Sequence, residues 1–182
     1  EKTWISSALH TAAGKTESSV DLLKDYGGKK VTWGLVENLL VVGNRIICTP
    51  GGIKNNVIAL DRKTGKLIWS SPGYGRVSAY CSSIYVRHNK TELIVTTTDG
   101  YIIGIDANTG QAYWNFPQKQ GNHIHANTPL YSDGIIYCAT EEADTDNGMV
   151  AIRLSGDGKS ATLLWRNRDF MNLMEGFILV DG

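Results

Sequence analysis

Val57-Ile58-Ala59-Leu60-Asp61-Arg62-Lys63-Thr64-Gly65-Lys66-Leu67-Ile68-Trp69 has a near copy downstream, Ile102-Ile103-Gly104-Ile105-Asp106-Ala107-Asn108-Thr109-Gly110-Gln111-Ala112-Tyr113-Trp114. In both, a short β-prone run ends at an Asp whose carboxylate can bond its own backbone two residues on. A Gly then supplies the positive φ of a tight hairpin turn, and a Trp follows four residues later. A third version runs from Ala151-Ile152 through Gly158-Lys159 to Trp165, with a longer turn. A fourth, degraded version is Ala8-Leu9-His10-Thr11-Ala12-Ala13-Gly14-Lys15, with Ser18 in the Trp place. The turn glycines Gly14, Gly65, Gly110 and Gly158 are spaced by 51, 45 and 48 residues. A period of roughly 40–50 residues built from short strands indicates β-propeller blades. A Trp offers ~150–250 Å² of surface, enough to dock one sheet on the next. Unrelated hairpins would not share the Gly-to-Trp interval.

Working outward, each repeat reads as four strands. One blade is Leu39–Gly43, Arg45–Thr49, Asn56–Asp61 and Lys66–Ser70. The next is Ser83–Arg87, Glu92–Thr97, Tyr101–Asp106 and Gln111–Asn115. The third is Pro129–Ser132, Ile135–Thr140, Met149–Arg153 and Thr162–Arg166. Ahead of them, Trp4–Leu9 and Thr16–Ser19 resemble the last two strands of another blade, and Phe177–Val180 reads as the first strand of a following one. The expected fold is therefore all-β, a partial propeller of four-stranded antiparallel blades. It comprises a blade remnant over 1–19, blades at about 37–70, 82–116 and 127–167, and the strand at 177–180. About four blade equivalents point to a fragment of a seven- or eight-bladed ring, or to two copies that associate to close one ring. One helical turn is expected at Val20–Tyr26, with Ser19 as cap and Gly27 as stop.

The chain of 182 residues carries 18 Lys and Arg against 18 Asp and Glu, so charge gives no reason to propose nucleic acid as a partner. Hydrophobic residues at 42% and charged residues at 20% make a globular composition. No apolar run approaches the ~20 residues of a membrane helix. Cys48, Cys81 and Cys138 show no CxxC spacing and are odd in number, so they read as three small buried thiols.

The segments VIALDRKTGKLIW and IIGIDANTGQAYW resemble the repeats of pyrroloquinoline-quinone-type propellers. Val20–Gly34 (VDLLKDYGGKKVTWG), Arg45–Gly52 (RIICTPGG) and Leu163–Phe170 (LLWRNRDF) are similar to a bacterial branch of that group, the quinoprotein alcohol-dehydrogenase-like proteins. WD40 and kelch repeats fit less well. The Trp is followed by Ser70, Asn115 or Arg166 rather than Asp, and the Gly51-Gly52 pair does not recur. The resemblance implies a quinoprotein-like propeller fold over nearly the whole chain and an exported, periplasmic location in a bacterium. It covers both true dehydrogenases and non-catalytic proteins, such as a propeller lipoprotein that assists outer-membrane barrel assembly.

Aligning the blades selects Glu37, Ser82, Asn127 and Glu175, one before each first strand, at spacings of 45, 45 and 48. Since the first strand of a blade lies nearest the axis, these residues are expected to ring one mouth of the channel. Two carboxylates, an amide and a hydroxyl there suit a ligand or a hard cation such as calcium. The competing reading is a hydrated polar lining. His123 and His125 alternate onto one face of an extended segment, which suits zinc, but no third ligand is near in sequence. The acidic loop Glu141–Gly148 misses the EF-hand register and reads as a solvated hairpin loop. Thr49-Pro50-Gly51-Gly52 reads as a tight turn rather than an anion cradle, and Asn89-Lys90-Thr91 matches a glycosylation sequon. The quinoprotein enzymes imply a quinone over the channel, calcium, an Asp base and commonly two adjacent cysteines. Here Cys81 is followed by Ser82, and no Asp stands at the rim positions.

The leading expectation is a non-catalytic scaffold propeller that binds a protein or small molecule at the channel mouth. The alternative is a dehydrogenase oxidising alcohols or sugars with pyrroloquinoline quinone and calcium.

Overall fold

The computed structural model describes residues 5–9, 16–118, 124–140, 148–172, 174 and 176–180. Strands β1 (Ile5–Leu9) and β2 (Thr16–Asp21) form a two-stranded antiparallel sheet, followed by the short helix α1 (Leu22–Tyr26). Three four-stranded antiparallel meanders follow. The first is β3 (Leu40–Val42), β4 (Arg45–Cys48), β5 (Val57–Asp61) and β6 (Leu67–Ser71). The second is β7 (Ile84–His88), β8 (Thr91–Thr98), β9 (Tyr101–Asp106) and β10 (Ala112–Pro117). The third is β11 (Leu130–Ser132), β12 (Ile135–Cys138), β13 (Met149–Leu154) and β14 (Ala161–Asn167). First strand lies near first strand (β3 with β7) and last near last (β10 with β14), as in consecutive propeller blades. The expected partial propeller is thus what the chain forms.

The third strand of each blade reads as a continuous apolar run because both its faces are buried. Successive side chains point to opposite faces. From β5, Val57 and Ala59 pack with Ile94, Ile103 and Ile105 of the second blade, while Ile58 and Leu60 pack with Leu22 on the other side. From β8 and β9, Leu93, Val95 and Ile102 turn toward Ile136, Val150 and Ile152 of the third blade. The first and second four-stranded sheets thereby each line two cores, and the third lines the core it shares with the second.

The Trp of each repeat sits at a bulge. Ala59 pairs with Trp69, Gly104 with Trp114 and Ala151 with Trp165, with a register shift beside each pair that re-aims the indole. The small partner leaves room for the ring: a Cβ on Gly104 would overlap the indole of Trp114. Trp69 Nε1 donates to the Ala107 carbonyl at 3.1 Å, and Trp114 Nε1 to the Gly158 carbonyl at 3.1 Å, each in the turn of the following blade. Those turns are set locally. Asp61 Oδ1 accepts from the amides of Lys63 (3.0 Å) and Thr64 (2.8 Å), and Asp106 Oδ1 from those of Asn108 (2.9 Å) and Thr109 (2.8 Å). Trp69 and Trp114 are only 6% and 5% exposed, whereas Trp165, with no described blade beyond it, is 40% exposed next to Leu163 and Leu164.

Two expectations need correction. Asp21, not Ser19, caps α1: its Oδ1 accepts from the amides of Leu23 and Lys24, both at 3.0 Å, while Ser19 pairs with Ser7 inside the β1–β2 ladder. Gly27 ends the helix in the left-handed region, as expected. In the first repeat Ser18 takes the Trp place as expected, pairing with Ala8 beside the same kind of register shift, and Val20 lies near Gly65 of the next turn. Residues 177–180 form no strand, since a strand needs a neighbour for its amides and carbonyls and no described strand pairs with them. Ile178 is 82% exposed. The aligned Trp4 and Gly14 lie outside the described residues.

If the Trp-to-turn contact holds the blades together, urea unfolding of Trp114→Phe should show a loss of about 1–2 kcal/mol, from the broken bond and the buried Gly158 carbonyl left without its donor. Gly104→Ala should cost about 1–3 kcal/mol through overpacking against the indole. Trp165→Phe should be close to neutral.

Candidate functional site

The expected rim begins with Glu37, in the extended approach to β3. Its Oε1 accepts from the Thr49 amide at 2.8 Å and its Oε2 from the Thr49 hydroxyl at 2.7 Å, so both oxygens are taken up within the first blade. The Thr49 hydroxyl also lies 3.4 Å from Ser78 Oγ, which approaches the second blade. Ser82 Oγ accepts from the Asn38 amide at 3.0 Å, and Asn127 Nδ2 donates to the Asn172 carbonyl at 2.6 Å. The same pattern joins the Trp33 amide to the Tyr80 hydroxyl at 3.3 Å, with the two rings 5.6 Å apart. Ser82 and Asn127 are thus tied from one blade approach to the next, Glu37 is tied within the first blade, and each of the three engages a different residue. Glu175 lies outside the described residues.

Burial pushes the Glu37 carboxyl up to about 7, against the opposing pull of the Thr49 amide and hydroxyl. Burial also raises the three thiols, with the Glu37 charge adding to the effect on Cys48. All three cysteines are free and buried, as expected, and a buried thiol of raised pKa is a poor nucleophile. Cys81 Sγ lies 2.7 Å from Thr97 Oγ1.

His125 is buried, with its amide donating to the Ala79 carbonyl at 3.0 Å. His123 and the acidic residues 141–147 lie outside the described residues. Among the described residues, no group of three or more His, Cys, Asp or Glu side chains is placed to hold a metal ion. The Thr49–Gly52 segment runs on from β4 rather than forming the expected tight turn, the reversal following at Ile53 and Lys54, and its amides are spent: Gly51 donates to the Asn56 carbonyl and Gly52 to the Asn55 carbonyl, each at 3.1 Å. The sequon residue Asn89 is also engaged, its Nδ2 donating to the Gly156 carbonyl at 2.7 Å.

Sequence reasoning missed the seam between the second and third blades. Four consecutive carbonyls of the third blade's turn each accept a side-chain donor from the second. Ser155 O faces His88 Nε2 (2.9 Å), Gly156 O faces Asn89 Nδ2, Asp157 O accepts from Thr91 Oγ1 (2.7 Å) and Gly158 O from Trp114 Nε1. The signal available was the longer turn of the third repeat, but nothing in one sequence says which donors meet it.

A family model described as outer membrane protein assembly factor BamB (PQQ_2) matches residues 1–167. No curated protein matches the chain. Among solved structures, BamB from Moraxella catarrhalis is 18% identical, with a TM-score of 0.51, over 92% of this chain and 56% of that one. The quinohemoprotein alcohol dehydrogenase ADHIIG from Pseudomonas putida HK5 is 15% identical, with a TM-score of 0.54, over 88% of this chain and 32% of that one. These two likenesses are of fold. The chain spans little more than half the length of the first and a third of the second.

Glu37 holds its proton more tightly in the folded chain, at about 7, than at its ordinary 4.5. Its contribution to stability is therefore complete below pH 4.5 and declines as pH rises toward about 7, by at most about 1.4 kcal/mol per pH unit. Glu37→Gln should flatten that limb in a pH series of denaturant unfolding curves. Thr49→Val removes a donor that favours the carboxylate, so the limb should extend to higher pH. An unchanged profile in both variants would separate Glu37 from the pH dependence.

Proposed function

The chain belongs to the PQQ_2 family, and on that premise we propose that it is a non-catalytic, exported scaffold propeller that binds another protein or a small ligand at its channel mouth. The observation that carries this reading is the engagement of the rim. Glu37 is turned onto Thr49, Ser82 accepts from Asn38 and Asn127 donates to Asn172. Side chains spent on bonds within and between blades make a rigid platform, and loops held on a rigid scaffold are where binding surfaces sit. The resemblance to BamB favours a protein partner and a periplasmic location. No helix of the described residues is long and apolar enough to cross a membrane.

The competing reading is a quinoprotein dehydrogenase that oxidises alcohols or sugars, and it draws on the fold likeness alone. Calcium needs about 6–8 oxygen ligands, preferably ionised ones. A carboxyl raised to about 7 is about half protonated at neutral pH, and both its oxygens already face Thr49. The described rim therefore does not fit a calcium-held quinone, and no chemical step is derived through one. A protein surface for self-association is also available. Trp165 is equivalent to Trp69 and Trp114, which the following blades cover, so a further blade or a second copy closing the ring would seat over it.

Native mass spectrometry of the chain, with and without calcium and pyrroloquinoline quinone, tests this reading. The expected spectrum is unchanged by the additions. A mass increase of one quinone and one calcium would overturn the scaffold reading. The same spectrum reports whether two copies associate.

A further inference from the structure

The seam between the second and third blades opens at the surface into a cleft of about 400 Å³, between the ends of β7 and β8 and the turn that leads into β14. Its walls include three cations, Arg87, Lys90 and Lys159, and two carboxylates, Glu92 and Asp106. The carboxylates are spent internally. Asp106 Oδ1 accepts from Asn108, from the Thr109 amide and from the Thr109 hydroxyl (2.9 Å), and its Oδ2 from the Tyr113 hydroxyl at 2.7 Å. Glu92 Oε2 accepts from Asn108 Nδ2 at 3.1 Å, and its Oε1 lies 3.6 Å from Arg87 Nε.

Arg87, paired with Glu92, and Lys159 also lie over rings. The Arg87 guanidinium lies over Tyr85 at 5.6 Å, with its Nε donating to the Tyr85 hydroxyl at 3.1 Å. The Lys159 ammonium lies over Tyr113 at 5.3 Å. Such contacts fix a cation's position without neutralising it. The terminal nitrogens of Arg87 and the ammonium of Lys90 have no hydrogen-bond partner among the described residues. Lys159 itself is fixed by the turn whose carbonyls the second blade grips, so the cleft is largely pre-formed, which lowers the cost of binding. The walls thus carry three cations against the charges of Glu92 and Asp106, and the N–H donors left unused are those of the Arg87 terminal nitrogens, Lys90 and Lys159.

We propose that this cleft binds a small phosphate-bearing molecule, its oxygens taken by Arg87, Lys90 and Lys159. A phosphate brings close to two negative charges and three acceptor oxygens, which match three cations better than a single carboxylate does. The planar fork of Arg87 suits bidentate contact with phosphate. The site is separate from the channel mouth and does not depend on the proposed function.

The test is an NMR titration of amide shifts with inorganic phosphate and with glycerol 3-phosphate, at ionic strength matched with chloride so that general screening is held constant. Saturable shifts are expected on the amides of 87–92 and 158–159. Lys90→Gln, which removes no described contact, and Lys159→Gln should each weaken binding about tenfold. Tighter binding of glycerol 3-phosphate than of inorganic phosphate would assign the ligand's organic portion to the cleft, and equal binding would assign recognition to the phosphate alone. Absence of saturation, equal affinity in both variants, or acetate binding as tightly as phosphate would overturn the proposal.

Discussion

An indole N–H that reaches the backbone of the next blade governs the rest of this structure. Trp69 and Trp114 each cross from one sheet to the following turn, ending on the carbonyls of Ala107 and Gly158. Each contact joins two requirements. The ring must be buried, which supplies apolar area, and its N–H must find an acceptor, which fixes where the neighbouring turn can lie. Stacked sheets held only by aliphatic contacts would be free to slide, and a hydrogen bond at a fixed point removes that freedom.

The contact also explains residues distant from it in the repeat. The Trp needs a small partner across the ladder, which is why Ala59, Gly104 and Ala151 stand where they do. It needs a bulge to aim it, and all three blades have one at the same place. It needs a turn of fixed shape to land on, and Asp61 and Asp106 shape theirs with the same set of amide bonds. The third blade varies the turn and receives four side-chain donors instead of one, so the longer loop is held more firmly than the shorter ones.

At the channel mouth the same logic turns polar residues into structure. A carboxylate, a hydroxyl and an amide at equivalent positions suggest a shared ligand. Each has instead found a nearby backbone or hydroxyl group, because a partly buried polar atom that stays unpaired is costly. Glu37 shows the consequence for charge. Surrounded by protein and bonded to a neutral Thr, it is displaced toward neutral pH rather than kept as a ready anionic ligand. The seam cleft is the opposite case, since its carboxylates are satisfied internally and its cations are left facing solvent.

The spacing of Gly65, Gly110 and Gly158, and the Trp that follows each, determined the blade repeat, the antiparallel meanders and most strand limits, because turn chemistry and period-2 burial are local properties written in consecutive residues. The same local reading placed the three thiols inside. It erred by two residues on the cap of α1, where Asp21 outcompetes Ser19 through its position relative to the first helical amides. Tertiary structure alone decided that 177–180 pairs with nothing described, that Glu37 faces Thr49, and that Arg87, Lys90 and Lys159 share one cleft. Those outcomes depend on which groups from separate blades come within hydrogen-bonding or Coulombic reach, and a distance between blades is a property of the packed chain that no stretch of sequence carries.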